Sequence, residues 1–374
     1  MPSRINDFAQ KFLLRAPLII QAPMAGGITT PKLVAAVSNA DALGSFATGY
    51  LNTQAVKEGI REIKKLTTKP YAVNVFVPNA AKMHHQDIQG YQRALNVFRR
   101  QLDIAEEHQV LSPILPADNF NEIIEVLLKE EVPIVSFTFG NLPNDIIKVF
   151  KQNGTYLIGT ATSLKEAEIL AESNVDAIVA QGAEAGGHRG SFFSPFKNAT
   201  IGTIVLVRQM VKYINKPIIA AGGIMDGQGI MAATVLGASA VQMGTAFLAL
   251  KESGANSFYQ EQLLKAKNSK EDITTLTNAY SGKTARGIHT EFIDYMQTHV
   301  ANIPDYPIAH ELSSPLRKAA AKKGVTNYMS MWCGQGASLI ENRLSVDAFI
   351  KKLREEIEES LADSSRIELN VTGM

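Results

Sequence analysis

Eight apolar runs punctuate the first part of this chain, at 18–25, 44–50, 71–77, 134–140, 155–161, 177–182, 217–223 and 240–248, and a helical pattern follows each. Most are continuous rather than alternating, the pattern of parallel strands covered on both faces. Parallel neighbours need a long crossover, and the intervening helices supply it. Start signals agree with those helices. Thr30 precedes Pro31, Ser163 stands three residues before Glu166, and Asp226 opens a helix through Ile230 and Val235. Eight strand–helix units predict a (β/α)8 TIM barrel, an α/β fold whose chemistry sits at the C-terminal ends of its strands.

Two stretches break the rhythm. Residues 79–120 are too long for a simple loop after the third strand, and a helix through Tyr91, Leu95 and Phe98 is expected there. Residues 251–335 are polar and less regular. They are read as a lid or substrate domain, with 1–250 plus 336–374 forming the barrel. The chain finishes on an amphipathic helix with Val346, Phe349, Ile350, Leu353, Ile357 and Leu361 on one face, expected to pack back on the barrel.

Charge excludes some partners. Lys+Arg is 37 against Asp+Glu 36, which leaves no basic field for nucleic acid or an anionic membrane. The one cysteine, Cys333, has no partner for an internal disulfide and is expected to be a buried thiol. Phe12-Leu13-Leu14 is broken by Arg15 before a signal core develops, and no run approaches the ~18 apolar residues of a membrane span. The expectation is a cytoplasmic protein, with its oligomeric state left between monomer and homodimer.

The glycines gather at the predicted strand ends. Gly222-Gly223 closes the seventh run and Gly244-Thr245 lies in the eighth. Small residues there let backbone N–H groups converge on a phosphate, where barrels commonly bind one. Tight turns are the alternative. No Walker or Rossmann fingerprint is present, which favours a mononucleotide held by a barrel. The sixth run leads into Gly186-Gly187-His188-Arg189-Gly190, where glycines let backbone approach a flat ligand beside one imidazole; a histidine satisfied by backbone in a bent turn is the alternative. Arg189 is read as an anion ligand or a surface salt bridge. Asn74, Gln181 and Gln242 are amides at the ends of, or inside, apolar strands, able to match the alternating donors and acceptors of a flavin ring, with hydrogen bonding within the barrel mouth as the alternative. Met24 is expected to line the pocket. Met243 and Met331 read as core, and Arg317-Lys318 and Lys322-Lys323 as a solvated helix face. His84-His85 lacks metal-ligand spacing, and no metal site is expected.

The motifs Gln21-Ala22-Pro23-Met24-Ala25-Gly26-Gly27, Asn74-Val75-Phe76, the 181–190 stretch, Ala221-Gly222-Gly223-Ile224 and Gln242-Met243-Gly244-Thr245-Ala246-Phe247 together resemble the nitronate monooxygenase family. The resemblance implies an FMN-dependent barrel enzyme that oxidises alkyl nitronates, such as propionate 3-nitronate, with molecular oxygen to a carbonyl compound and nitrite. It implies His188 as the catalytic residue. Together with the glycine reading, it places Met24, Asn74, Gln181, Gly186, Gly187, Gly222, Gly223, Gln242, Met243, Gly244 and Thr245 around FMN. His188, partly protonated, would hold the nitro oxygens, or in relatives accepting neutral nitroalkanes remove the α-proton. An FMN-dependent NAD(P)H reductase of quinones or enoyl thioesters is the nearest alternative, since the same motifs serve both. A sugar-phosphate isomerase or a scaffold without turnover stands further off.

Overall fold

The computed structural model describes residues 16–79, 84–107, 119–193, 200–267, 269–341 and 343–371, with side chains to 363. The 12–15 segment lies outside them. The strands, in chain order, are β1 Leu18–Gln21, β2 Gly44–Ala47, β3 Tyr71–Phe76, β4 Ile134–Thr138, β5 Tyr156–Ala161, β6 Ala177–Gln181, β7 Gly187–His188, β8 Ile218–Ala221, β9 Ala240–Met243, β10 Thr274–Thr277 and β11 Ala285–Ile288. Eight of them form one parallel sheet in the order β1-β9-β8-β6-β5-β4-β3-β2. A parallel bridge between Ile20 and Leu43 joins its two ends, with Gln21 N donating to Leu43 O at 2.9 Å. The sheet is therefore a closed (β/α)8 TIM barrel, and closure removes both edges.

Side-chain alternation divides the apolar residues into two cores. Leu18, Ile20, Ala72, Ile134, Ile158, Val179 and Ile219 fill the barrel interior. Ile19, Val73, Val135, Leu157, Ile178, Ile218 and Val241 point outward under the helices. Both faces of most strands are thus largely apolar, with Ser45, Asn74, Ser136 and Thr160 as buried polar exceptions, which is why the sequence shows continuous runs. The expected caps are present. Thr30 accepts from Leu33 N at 3.0 Å with Pro31 at the first helical position, and Asp226 accepts from Gly229 N at 2.8 Å. Ser163 accepts from Glu166 N at 3.3 Å, but the Glu166 carboxylate departs from a reciprocal box. It takes Thr162 N at 2.7 Å, and Phe192 N and Phe193 N at 2.8 and 3.1 Å, tying the loop after β7 to the barrel.

The eighth run differs from expectation in one respect. The strand stops at Met243, and Thr245–Leu248 turns into a short helix at Gly244. The predicted insertion helix is His85–Gln101, with Tyr91, Leu95 and Phe98 buried. Its Tyr91 hydroxyl donates to Ala279 O at 2.7 Å, and its buried Arg99 donates to Leu312 O at 3.2 Å, so it packs on the 251–335 segment. That segment carries β10 and β11 and the helices Ser257–Ala266, Glu291–His299 and Ile308–Lys323. Its two strands form a small antiparallel sheet with β7, which belongs to the loop after β6. The C-terminal helix Val346–Val371 packs on the helices Gly227–Val235 and Pro31–Asn39 through Val346, Phe349, Ile350, Leu353 and Ile357. Leu361 does not join them and is 52% exposed.

Candidate functional site

The C-terminal ends of the strands open into one cavity of about 740 Å³. On the β8–β9 side its wall is glycine backbone. Gly222 and Gly223 adopt φ values of +117° and +72°, a region that side chains beyond glycine rarely enter. The N–H groups of Gly222, Gly223, Gly244 and Thr245 donate to no acceptor among the described residues. Four open donors on one wall are what a phosphate group requires.

The neighbouring loop is held by arginines. Arg189 is 1% exposed and donates to the carbonyls of Gln181 at 2.7 Å and Gly182 at 2.6 Å. Arg286 takes the carbonyl of Ala183 at 3.1 Å. Arg189 is therefore neither an anion ligand nor a surface bridge, as the sequence had suggested. Its guanidinium engages the backbone oxygens of the loop that carries His188. The Gln181 side chain closes the same loop, donating to His188 O at 3.0 Å and accepting from Gly190 N at 2.8 Å. Gly186 is required by close approach, since a Cβ there would lie 2.4 Å from the carbonyl carbon of Cys333. Cys333 is fully buried, and burial pushes its thiol up to about 12, consistent with the inert thiol expected.

His188 stands on β7, paired with Ala285 across the small sheet. Its Nε2 lies 2.8 Å from Ser281 Oγ. That hydroxyl donates to Lys283 O at 3.0 Å, so it accepts from the imidazole. The His188 proton accordingly sits on Nε2 and Nδ1 keeps its lone pair. The ring is enclosed by protein yet opens on the cavity. Burial first, then the charges of Lys283 and Arg317, pull its pKa down to about 3. The partly protonated state expected from sequence is thus replaced by a neutral imidazole. Phe139 and Trp332 flank it at centroid distances of 5.9 and 5.3 Å.

The far wall comes from the end of β2 and the helix Ile308–Lys323. His310 stacks on Tyr50 at 3.9 Å and 8°, and its pKa is held down at about 2, mainly by burial and then by Arg317. Arg317 is not on a solvated face. It is enclosed, lines the cavity, and donates to Ser313 Oγ, Ser330 Oγ, His310 O and His310 Nδ1. Lys318 beside it is exposed at the cavity mouth, and Lys323 donates to Leu102 O. Tyr50 and Phe139 have φ values of +71° and +74°. Such backbone costs ~1–3 kcal/mol per residue, and both aromatics line the cavity.

Met24, Asn74, Gln181, Gly186, Gly187, His188, Gly222, Gly223, Gln242, Met243, Gly244 and Thr245 all border this cavity. Asn74 donates to Ser136 Oγ at 2.9 Å, while the Gln242 amide has no partner among the described residues. Met243 is 1% exposed and touches the cavity at its edge. Met331 is core. Sequence reasoning missed Tyr50, Phe139, Glu184, Ser281, His310 and Arg317. Glu184 caps the helix Thr203–Tyr213 by accepting from Thr203 N at 3.0 Å and Thr203 Oγ1 at 2.7 Å. The available signal was aromatic residues beside Gly49 and Gly140 at predicted strand ends. Among the described residues, no cluster of His, Cys, Asp or Glu is arranged to hold a metal. Among them, too, no helix is long and apolar enough to cross a membrane.

The family profile described as nitronate monooxygenase matches residues 8–356. The chain belongs to the nitronate monooxygenase family. A probable nitronate monooxygenase of Staphylococcus aureus (strain MSSA476) is 46% identical over 336 residues, 89% of this chain and 92% of that protein. Among solved structures, nitroalkane oxidase from Streptomyces ansochromogenes superposes with a TM-score of 0.84 at 34% identity, covering 95% of this chain and 99% of that one. FabK from Thermotoga maritima gives 0.75 at 30% identity, over 96% and 98%. The enoyl reductase domain of MlnA, at 14% identity and 0.64, shares the fold. Membership makes this chain an enzyme of nitronate oxidation in a flavin-dependent family.

The two buried imidazoles make stability depend on pH. Both are neutral when folded, whereas an unfolded histidine protonates near pH ~6.5. Their stabilising contribution is full above that pH and is lost as pH falls toward 3, where the unfolded chain alone binds the protons. Each histidine contributes a slope of ~1.4 kcal/mol per pH unit across this window. Urea unfolding at several acidic pH values is expected to show wild type losing stability more steeply than His310→Gln by one such increment. Parallel profiles would show that His310 is not a buried neutral base.

Proposed function

We propose that the cavity binds FMN and that the enzyme oxidises small alkyl nitronates, such as propionate 3-nitronate, with molecular oxygen to a carbonyl compound and nitrite. One observation carries the reading: open N–H groups at Gly222, Gly223, Gly244 and Thr245 share a single cavity with the neutral imidazole of His188. The glycine wall would hold the FMN phosphate. Asn74, Gln181, Gln242, Gly186, Gly187, Met24 and Met243 would border the ring system, with amide donors and acceptors for its polar edge. Bound flavin supplies the electron acceptor that nitronate oxidation needs.

The protein's own part is binding, orientation and proton handling. His188 presents Nδ1 as a base for the α-proton of a neutral nitroalkane, with Ser281 fixing the tautomer. Phe76, Phe139 and Trp332 exclude water from the apolar part of the substrate. Residues 251–335 act as the lid, supplying Tyr259, His310 and Arg317 to the wall.

The likeness to FabK makes a nicotinamide-dependent reductase the reading to test against. The purified protein is expected to show flavin absorbance in the visible. Under anaerobic conditions, propionate 3-nitronate should bleach it, with NADH and NADPH leaving it oxidised over the same period. Rapid bleaching by NADH or NADPH together with inert nitronate would reverse the assignment.

A further inference from the structure

Arg317 is an enclosed cation with no carboxylate in ion-pair contact among the described residues; Glu311 acts on it only from further off. The residue lines the cavity, and all four hydrogen-bond acceptors of its guanidinium are neutral: Ser313 Oγ at 3.0 Å, Ser330 Oγ at 3.3 Å, His310 O at 3.0 Å and His310 Nδ1 at 3.2 Å. An enclosed charge left unpaired is costly, and an anion entering the cavity relieves that cost. Donor counting shows where it would bind. Of five guanidinium N–H groups, Nε and both on Nη2 are engaged, and one of two on Nη1, so one Nη1–H remains. His310 accepts through Nδ1, which puts its own proton on Nε2, and that N–H has no partner among the described residues. Two linked side chains therefore keep one unengaged donor each, and one of the two carries a full charge.

The pair is held rigidly. The Tyr50 ring lies flat on His310 at 3.9 Å, and Tyr50 is itself fixed in a left-handed backbone conformation at φ +71°. Tyr306 stands between the two histidines in the aromatic wall, its ring centroid 6.0 Å from His188 and 6.2 Å from His310. The other charged groups nearby are Lys318, exposed at the mouth, and Glu311, whose carboxylate lines the same wall and partly offsets the positive field. His188, across from this pair, is uncharged and has a lone pair to offer, so it is suited to a proton and not to an anion.

We infer that Arg317 and His310 form the anion-binding site for the nitro head of the substrate, whose two oxygens share one negative charge, while His188 handles the proton. The inference rests on the nitronate reading for the identity of the substrate. Its charge preference is independent of that reading.

The test is calorimetric titration of FMN-saturated protein with nitrate, a planar oxyanion, at mildly acidic pH, with nitroethane as the uncharged control. Arg317→Met is expected to weaken nitrate by ~10–100-fold, the range for a hydrogen bond to a charged group, and to leave nitroethane nearly unchanged. In steady state the same variant should raise KM for ethyl nitronate more than it lowers kcat. Unchanged nitrate affinity, or an equal loss for nitroethane, overturns the assignment. Should Arg317→Met not fold, Arg317→Lys serves in its place: it keeps the charge but gives up the fork, so nitrate alone should weaken. An Arg317→Lys protein that binds nitrate as wild type does, or loses both ligands together, counts against the site. Wild-type protein that binds nitrate through Arg317 yet oxidises no nitronate would sink the functional reading and leave this site standing.

Discussion

His188→Asn is expected to lower kcat/KM for neutral nitroalkanes by ~10²–10⁴-fold, the usual contribution of a positioned acid–base group. Asparagine retains a donor for Ser281 but has no lone pair basic enough to take a proton. In the folded chain burial keeps the imidazole neutral, with its proton on Nε2 and the lone pair on Nδ1, and negative charge developing on a bound substrate would raise its basicity. A preformed nitronate has already lost that proton, so its turnover should fall far less. Steady-state rates on nitroethane and ethyl nitronate, each normalised to bound flavin, separate the two cases. An asparagine variant that keeps its flavin and turns over both substrates at wild-type rates would leave His188 with no chemical role.

Gly222→Val is expected to yield colourless protein. A β-branched residue at φ +117° is strained, and its Cβ would stand 2.8 Å from Thr203 Oγ1 and 3.1 Å from Ala185 N. Strain of ~1–3 kcal/mol and overpacking of ~1–3 kcal/mol add to ~2–6 kcal/mol. Relieved by moving the loop, that cost corresponds to flavin retention at least ~30-fold weaker. Gly154→Ala is the control. It also places a side chain at positive φ, +76°, but in open space at the opposite end of the barrel before β5. That variant should lose a little stability and keep its colour. The visible-to-ultraviolet absorbance ratio of each purified variant decides the matter, and equal ratios would show that the glycine wall holds no cofactor.

The barrel was legible because parallel strands covered on both faces must be largely apolar, and helices must lie between them. The glycine wall was legible because its residues are contiguous in sequence at strand ends. Arg317 was not. Its neighbours Lys318, Lys322 and Lys323 suggest a solvated stripe, and nothing local says that one position of the stripe faces a cavity. His310 and Tyr50 lie far apart in the chain, and their stacking depends on how the 251–335 segment packs over β2. β7 has two residues and no pattern of its own, and it exists because β11 lies alongside to pair with it. Arg189 misled for a related reason. Its chemistry is ordinary for a surface residue, and only the folded loop shows two carbonyls, at 181 and 182, that need its buried guanidinium.

The chain has a single indole, Trp332, and it stands in the cavity wall 5.3 Å from the His188 ring. Intrinsic emission excited at the red edge of protein absorption therefore arises from one place, beside the imidazole. Energy transfer to a bound isoalloxazine would quench it, so cofactor loading and release can be followed in real time without any label.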